Sequence, residues 1–154
     1  MEEPVLMSRN KQDYPPMHTV EHILNQTMTR MFGCPRSGKA HVERRKGRCD
    51  YALGAAPAEG DIREVERRVN EVIGRCLPVE ISFADRDLLP PGVDAGKLPG
   101  GVVGAVRVVR IGDYDVCACS GAHVRNTGEI GRFKVVSYDY SAPVLRLRFK
   151  LEES

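Results

Sequence analysis

The chain has 154 residues, of which 42% are hydrophobic, and a formal net charge of +2. This length suits one domain over residues 1–154 with a sizeable core, and the near-neutral charge excludes a polycation. No apolar run approaches the ~20 residues of a membrane span, and the acidic N-terminus lacks the apolar stretch of a secretory signal, so we predict a cytoplasmic protein without a membrane partner. Its five cysteines, an odd number, are predicted to be thiols or metal ligands.

The first predicted helix runs from about Pro16 to Phe32, because proline suits the first helical turn and Gly33 ends the pattern. Its apolar residues recur at three- and four-residue steps and predict one core stripe, formed by Met17, Val20, Leu24, Met28 and Met31. His18 and His22 lie one turn apart on a polar flank beside this stripe. Surface histidines explain such a pair as well as ligands do, and Thr19 replaces the glutamate of the zinc-protease pattern HExxH.

A hairpin of two short strands is predicted from Ala40 to Gly54 around a turn at Lys46-Gly47. Basic residues cluster at this turn and suit a phosphate backbone, although a solvated surface balanced by neighbouring acids explains them equally well. The basic cluster consists of Arg44, Arg45, Lys46 and Arg48. An amphipathic helix is predicted from Ala58 to Cys76, with arginines outside and apolar residues, Cys76 included, facing a sheet.

The rest of the chain predicts strands and turns. Val79 to Phe83 alternates as a half-buried strand, and the proline- and glycine-rich stretch 87–101 predicts a long loop, either a functional flap or a surface crossover. Residues 102–111 and 114–119 predict a hairpin. The last two predicted strands cover residues 133–140 and 144–151. In the second of them alternation predicts an inward face formed by Leu145, Leu147, Phe149 and Leu151. Helix, hairpin, helix and then strands indicate an α+β fold with helices packed on a largely antiparallel sheet.

A second pair of metal-capable side chains follows the strand that ends at Cys119, since His123 lies four residues later in a glycine-containing loop. Imidazole and thiolate are preferred zinc donors, so His18, His22, Cys119 and His123 form a plausible tetrahedral set. Period two places Asp115, Cys117 and Cys119 on one face of their strand. Cys117 is therefore a competing ligand that spacing does not eliminate.

Two motifs together carry a family resemblance. His18-x-x-x-His22 and Cys119-Ser-Gly-Ala-His123-Val-Arg-Asn-Thr-Gly-Glu-Ile-Gly131 resemble the editing domain of alanyl-tRNA synthetase, most closely the free-standing editing proteins of the AlaX type in their short form. The resemblance covers roughly residues 15 to 150. It implies a two-layer α+β fold shared with the editing domain of threonyl-tRNA synthetases, and zinc held by His18, His22, Cys119 and His123. It also implies an enzyme that hydrolyses, in trans, seryl- or glycyl-tRNA mischarged for alanine.

The resemblance further implies a catalytic site formed by Thr19, His18 and His22, in which Thr19 reads the serine hydroxyl. On the residues alone, a threonine bonding back to its own helix is the alternative. Ala122 stands where the family's Cys-Gly-Gly-Thr-His has threonine, which leaves the preferred mischarged tRNA open. Four protein ligands favour a closed structural zinc unless one is weak, so zinc could either activate the ester or only hold the pocket.

Contacts to tRNA are expected from Arg44, Arg45, Lys46, Arg48 and the 87–101 loop, through phosphates and shape rather than base reading. Two other functions stay open. One is a zinc-stabilised RNA-binding module without catalysis. The other is a deacylase for a different mischarged tRNA, such as seryl-tRNA for threonine. A small-molecule zinc hydrolase is disfavoured, because the histidine motif has no positioned acid or base.

Overall fold

The computed structural model describes residues 14–91, 93 and 105–153. Within them the chain forms two helices, α1 (Pro15–Phe32) and α2 (Glu59–Gly74). The strands there are β1 (Lys39–Val42), β2 (Lys46–Ala52), β3 (Val79–Asp85), β4 (Ala105–Ile111), β5 (Asp115–Ala118), β6 (Arg132–Ser141) and β7 (Val144–Glu152). Most of the loop predicted at 87–101 and the start of the strand predicted at 102–111 lie outside the described residues.

All described strand pairs are antiparallel, and the α+β prediction is confirmed. The strands divide between two sheets, with the orders β1-β2-β7-β6 and β3-β4-β5. Strands β6 and β7 form the last hairpin of the chain. This hairpin joins the first sheet because β7 pairs with β2 over seven residues, from Lys46 opposite Lys150 to Ala52 opposite Val144. The second sheet is formed by strands between residues 79 and 118.

Helix α1 is enclosed by both sheets. Its predicted apolar stripe is confirmed at Met17, Val20, Leu24 and Met28, which are fully buried, whereas Met31 is only partly buried. The opposite flank faces the β4–β5 hairpin, where Gln26 donates a hydrogen bond to Asp115 and Thr27 is bonded to Tyr114. The polar flank that carries His18 and His22 therefore lies against the second sheet. No helix in the described part of the chain is long and apolar enough to cross a membrane.

The basic hairpin turns earlier than predicted. Val42 pairs with Gly47, and the Glu43 amide donates to the Lys46 carbonyl at 2.8 Å, so the tip lies at residues 44–45. Gly47 belongs to β2, where a Cβ would lie 2.8 Å from Cζ of Phe149. The predicted turn at Lys46-Gly47 is wrong, because glycine is needed here for close packing rather than for turn geometry.

Two burial predictions are also wrong. Cys76 is exposed rather than inward-facing, since α2 ends at Gly74 and Cys76 has a left-handed backbone with φ of 52°. Strand β3 has no half-buried face: Ile81 and Phe83 are 46% and 69% exposed. This strand is an edge that pairs with β4 alone among the described strands, and neither described helix packs extensively on it.

Candidate metal centre

Three predicted ligands meet where α1 passes the end of β5. The ligand atoms of His22, Cys119 and His123 all lie within 4.8 Å of one another. Nε2 of His123 lies 3.4 Å from Sγ of Cys119, and the ring centroids of His22 and His123 are 4.6 Å apart. His18 flanks this group, with its ring centroid 6.1 Å from that of His123. Packing of α1 against the 119–123 loop thus joins side chains that are about a hundred residues apart in sequence.

The donor set fits zinc. Zinc bonds of about 2.0–2.1 Å to nitrogen and 2.3 Å to sulfur place tetrahedral N and S ligands about 3.5 Å apart. The separation of 3.4 Å between His123 Nε2 and Cys119 Sγ matches that edge. A thiol with two imidazoles is also the donor chemistry that zinc prefers. The group of His22, Cys119 and His123 can therefore hold three corners of a tetrahedron, whereas the fourth predicted ligand, His18, lies outside this group.

Burial keeps the imidazoles neutral. It lowers the pKa of His22 well below its usual value, and the nearby charges of His123 and Arg36 lower it further. Burial, followed by the charges of His18 and Arg107, lowers the pKa of His123 to about 3. Both rings therefore offer an unprotonated nitrogen to a cation at physiological pH.

The two thiols near the histidines are protonated when no cation is near, again because of burial. Burial raises the pKa of Cys119, and it raises the pKa of Cys117 to about 12. A thiol becomes a zinc ligand only as thiolate, so zinc binding at Cys119 must release a proton.

Cys117 is a second thiol in contact with His22. Its Sγ is 3.0 Å from Nδ1 of His22, and together with Asp115 these residues form a second group with ligand atoms within 4.8 Å. Asp115 has other partners, because Arg36 binds both of its carboxylate oxygens, at 2.8 and 3.2 Å, and Gln26 donates at 3.0 Å. The predicted common face of Asp115 and Cys117 thus reaches the histidine cluster. Arg36 and Gln26 were not predicted, and their partner is about 80 to 90 residues away in sequence.

Arg107 on β4 holds the ligand loop. Its Nη1 donates to the carbonyl oxygens of Cys119 and Gly121 at 2.7 and 2.8 Å. Gly121 packs so closely on His18 that a Cβ would lie 2.8 Å from its Cε1. Arg107 was also missed from the sequence. The signal that points to it is a lone arginine between Val106 and Val108, which are both buried.

Thr19 is buried beneath His123. Its hydroxyl lies 3.0 Å from Nδ1 of His123, 3.1 Å from the Pro15 carbonyl oxygen and 3.2 Å from the Val124 amide. The residue is fully buried, with no exposed surface in this structure. Reading of a serine hydroxyl by Thr19 stays a prediction.

The basic cluster lies near the N-terminal end of α1. Arg44 stacks its guanidinium 5.1 Å from the ring centroid of Tyr14, the residue before that helix. Arg45 pairs with Glu153 at 3.1 Å and Lys46 lies 3.9 Å from Glu43, in exposed contacts that contribute little to stability. The cluster is therefore at the same end of α1 as His18.

Further cations extend the basic cluster across the outer face of the four-stranded sheet. Lys46 lies opposite Lys150, which lies opposite Lys134, and Arg48 lies opposite Arg148. The inner face of the same strands carries the apolar residues Leu145, Leu147, Phe149 and Leu151, all of which are buried. This alternation separates a core-facing surface from a charged one, on which Arg148 and Lys150 are paired with Asp139 and Glu152.

Comparisons with known proteins agree with these motifs. Residues 106–147 match the threonyl and alanyl tRNA synthetase second additional domain, a range that contains Cys119 and His123. The alanine–tRNA ligase of Caldicellulosiruptor saccharolyticus is 35% identical over 122 residues, or 78% of this chain and 14% of the ligase. That of Bacillus subtilis is 38% identical over 125 residues, with the same coverages. That of Methanopyrus kandleri is 33% identical over 142 residues, or 89% of this chain and 15% of the ligase. The chain spans about a seventh of the length of these ligases.

Proposed function

We propose that this chain, which is similar to alanine–tRNA ligases over most of its length, is an aminoacyl-tRNA hydrolase that removes a wrongly attached amino acid. The observation that carries the proposal is the convergence of His22, Cys119 and His123 at the junction of α1 and β5. The similarity to alanine–tRNA ligases over most of the chain supports tRNA as the partner.

The substrate we propose is seryl-tRNA, and with it glycyl-tRNA, mischarged for alanine. The reaction is hydrolysis of the ester between the amino acid and the terminal ribose, and the chain acts on it in trans. Serine differs from alanine by one hydroxyl group. A site that hydrogen-bonds this hydroxyl can favour serine over alanine by a large factor in rate, whereas an apolar pocket rejects serine poorly. The polar lining of this region, which includes His22, Cys119 and His123, supports this direction of selectivity.

The cofactor we propose is zinc, held by His22, Cys119 and His123 with His18 near the fourth position. Bound zinc supplies a Lewis acid for the ester carbonyl or lowers the pKa of a water. The chain's own residues prepare the site: burial keeps the imidazoles of His22 and His123 neutral, and Arg107 holds the loop that carries Cys119. A compact group of three ligands supports a catalytic centre with an exchangeable fourth position.

We propose that Arg44, Arg45, Lys46 and Arg48 contact tRNA phosphates. Their place near the N-terminal end of α1 supports this, because a bound acceptor end must reach His18 at that end. Lys150 and Lys134, which follow Lys46 across the outer face of the sheet, extend the same surface. Contacts of this kind add affinity without reading sequence.

The deciding experiment measures deacylation of seryl-, glycyl- and alanyl-tRNA for alanine by zinc-loaded protein, with and without a chelator. We expect seryl-tRNA to be hydrolysed, alanyl-tRNA to be spared, and His123→Ala to be inactive. Intact seryl-tRNA in the zinc-loaded sample would overturn the proposal. If such a sample still binds zinc and tRNA, the chain is a zinc-stabilised RNA-binding module.

A second substrate has one observation in its favour. Ala122 removes a hydroxyl that the family places between the two loop ligands, and the side chain at 122 is half-buried beside them. Seryl-tRNA for threonine therefore belongs in the same panel of substrates. Faster hydrolysis of that species than of seryl-tRNA for alanine would assign the chain to threonine editing.

A further inference from the structure

The hydroxyl of Thr19 has as many partners as it can bind. A hydroxyl group has one hydrogen to donate and two lone pairs to accept with. The Pro15 carbonyl, 3.1 Å away, can only accept, and the Val124 amide, 3.2 Å away, can only donate. If the hydrogen goes to Pro15 and one lone pair to Val124, the second lone pair is left for Nδ1 of His123 at 3.0 Å. That nitrogen must then carry the hydrogen.

We infer that Thr19 is a positioning residue that holds His123 in the tautomer with hydrogen on Nδ1. Nε2 of the neutral ring is then unprotonated, and it is this atom that lies 3.4 Å from Sγ of Cys119, where zinc would bind. A hydrogen bond to the far nitrogen of a ligating histidine sets both tautomer and ring orientation. The inference rests on the proposed metal site and adds the atom through which His123 binds.

This role differs from the predicted reading of a serine hydroxyl. Thr19 is fully buried and its three hydrogen bonds run to its own helix, to the ligand loop and to His123. A substrate hydroxyl could reach it only after one of these bonds had broken. Thr19 therefore acts on the reaction through His123.

The test compares Thr19→Val, which keeps the shape and removes the hydroxyl, with Thr19→Ser, which keeps the hydroxyl. Thr29→Val is a matched control on the same helix, since the Thr29 hydroxyl bonds the Cys34 carbonyl at 2.9 Å, away from the ligands. Zinc affinity of the full chain is measured by competition with a chromophoric chelator. Loss of such a supporting bond lowers metal affinity about 10- to 100-fold, and we expect that loss for Thr19→Val alone.

A second measurement uses only the wild-type protein, so its result does not depend on whether the variants fold. NMR of zinc-loaded wild-type protein with ¹⁵N-labelled histidine reports which nitrogen of His123 carries hydrogen and which binds the metal. We expect hydrogen on Nδ1 and zinc on Nε2. Zinc on Nδ1, or equal zinc affinity of Thr19→Val and Thr29→Val, would overturn the inference.

Neither readout uses tRNA, so both can fail while editing activity persists. Both can equally succeed in a chain that deacylates nothing. The tautomer at His123 and the editing proposal are thus separable by experiment.

Discussion

Replacement of Arg107 by methionine removes the two hydrogen bonds that hold the ligand loop. Nη1 of Arg107 donates to the carbonyl oxygens of Cys119 and Gly121 at 2.7 and 2.8 Å, in a partly buried setting. A hydrogen bond from a charged group contributes about 1.5–3 kcal/mol. Since the loop keeps its other contacts, we expect a loss near the lower bound for the pair, about 3 kcal/mol. If zinc must order the loosened loop again, this whole cost is taken from binding, and at about 1.4 kcal/mol per factor of ten zinc affinity falls by up to about 100-fold.

The assay is chelator competition on the full chain, with Arg110→Met as matched control. Arg110 lies on the same strand, is exposed, and pairs across the sheet with Glu80 rather than with the loop. Arg107→Lys keeps the charge and one donor direction, so we expect it to fall between wild type and Arg107→Met. Equal zinc affinity of Arg107→Met and Arg110→Met would refute the view that Arg107 organises the site.

Three further outcomes are expected. In the cobalt-substituted protein, we expect Cys119→Ser to lose the thiolate-to-metal absorption band and Cys117→Ser to keep it, because only Cys119 belongs to the proposed ligand set with His123. Loss of the band in Cys117→Ser would instead show that Cys117 is a ligand. Arg45→Ala weakens tRNA binding more at low salt than at high salt, as phosphate contacts require, and equal losses would contradict a phosphate contact. The hydrogen bond from Arg146 lowers the pKa of Asp50 in the folded protein. The pair therefore stabilises the fold fully above the unfolded-state pKa of Asp, about 3.9, and this stabilisation is lost as the pH falls through the lowered pKa of the folded state. Urea unfolding should therefore show Arg146→Met slightly destabilised at pH 7, with the difference vanishing in acid. A difference that persists there would assign it to packing instead.

The sequence predicted the elements whose signals are local. The helical period placed the stripe of Met17, Val20, Leu24 and Met28 in the core, and Gly33 ends α1 with a left-handed backbone, φ 69°. Alternation likewise predicted the buried face of β7. These features depend on residues a few positions apart, which is why spacing alone finds them.

Prediction failed where the outcome depends on packing against distant residues. Gly47 looked like a turn residue, yet it lies in a strand because Phe149 leaves no room for a side chain. Ile81 and Phe83 alternate like a buried strand, yet β3 is an exposed edge. In each case the local pattern was compatible with two environments, and strand pairing selected one.

The candidate site divides in the same way. Short-range geometry is enough to place His18 and His22 on one side of α1. It likewise places Cys119 and His123 in one loop. Only the packing of α1 against the β4–β5 hairpin decides which atoms meet: His22 with Cys119 and His123, Thr19 with Nδ1 of His123, and Arg107 with the ligand loop. Spacing in the sequence therefore specifies which residues can be metal ligands. The tautomer and the burial of the ligand side chains, and the hydrogen bonds that hold them, depend on contacts between groups up to about a hundred residues apart.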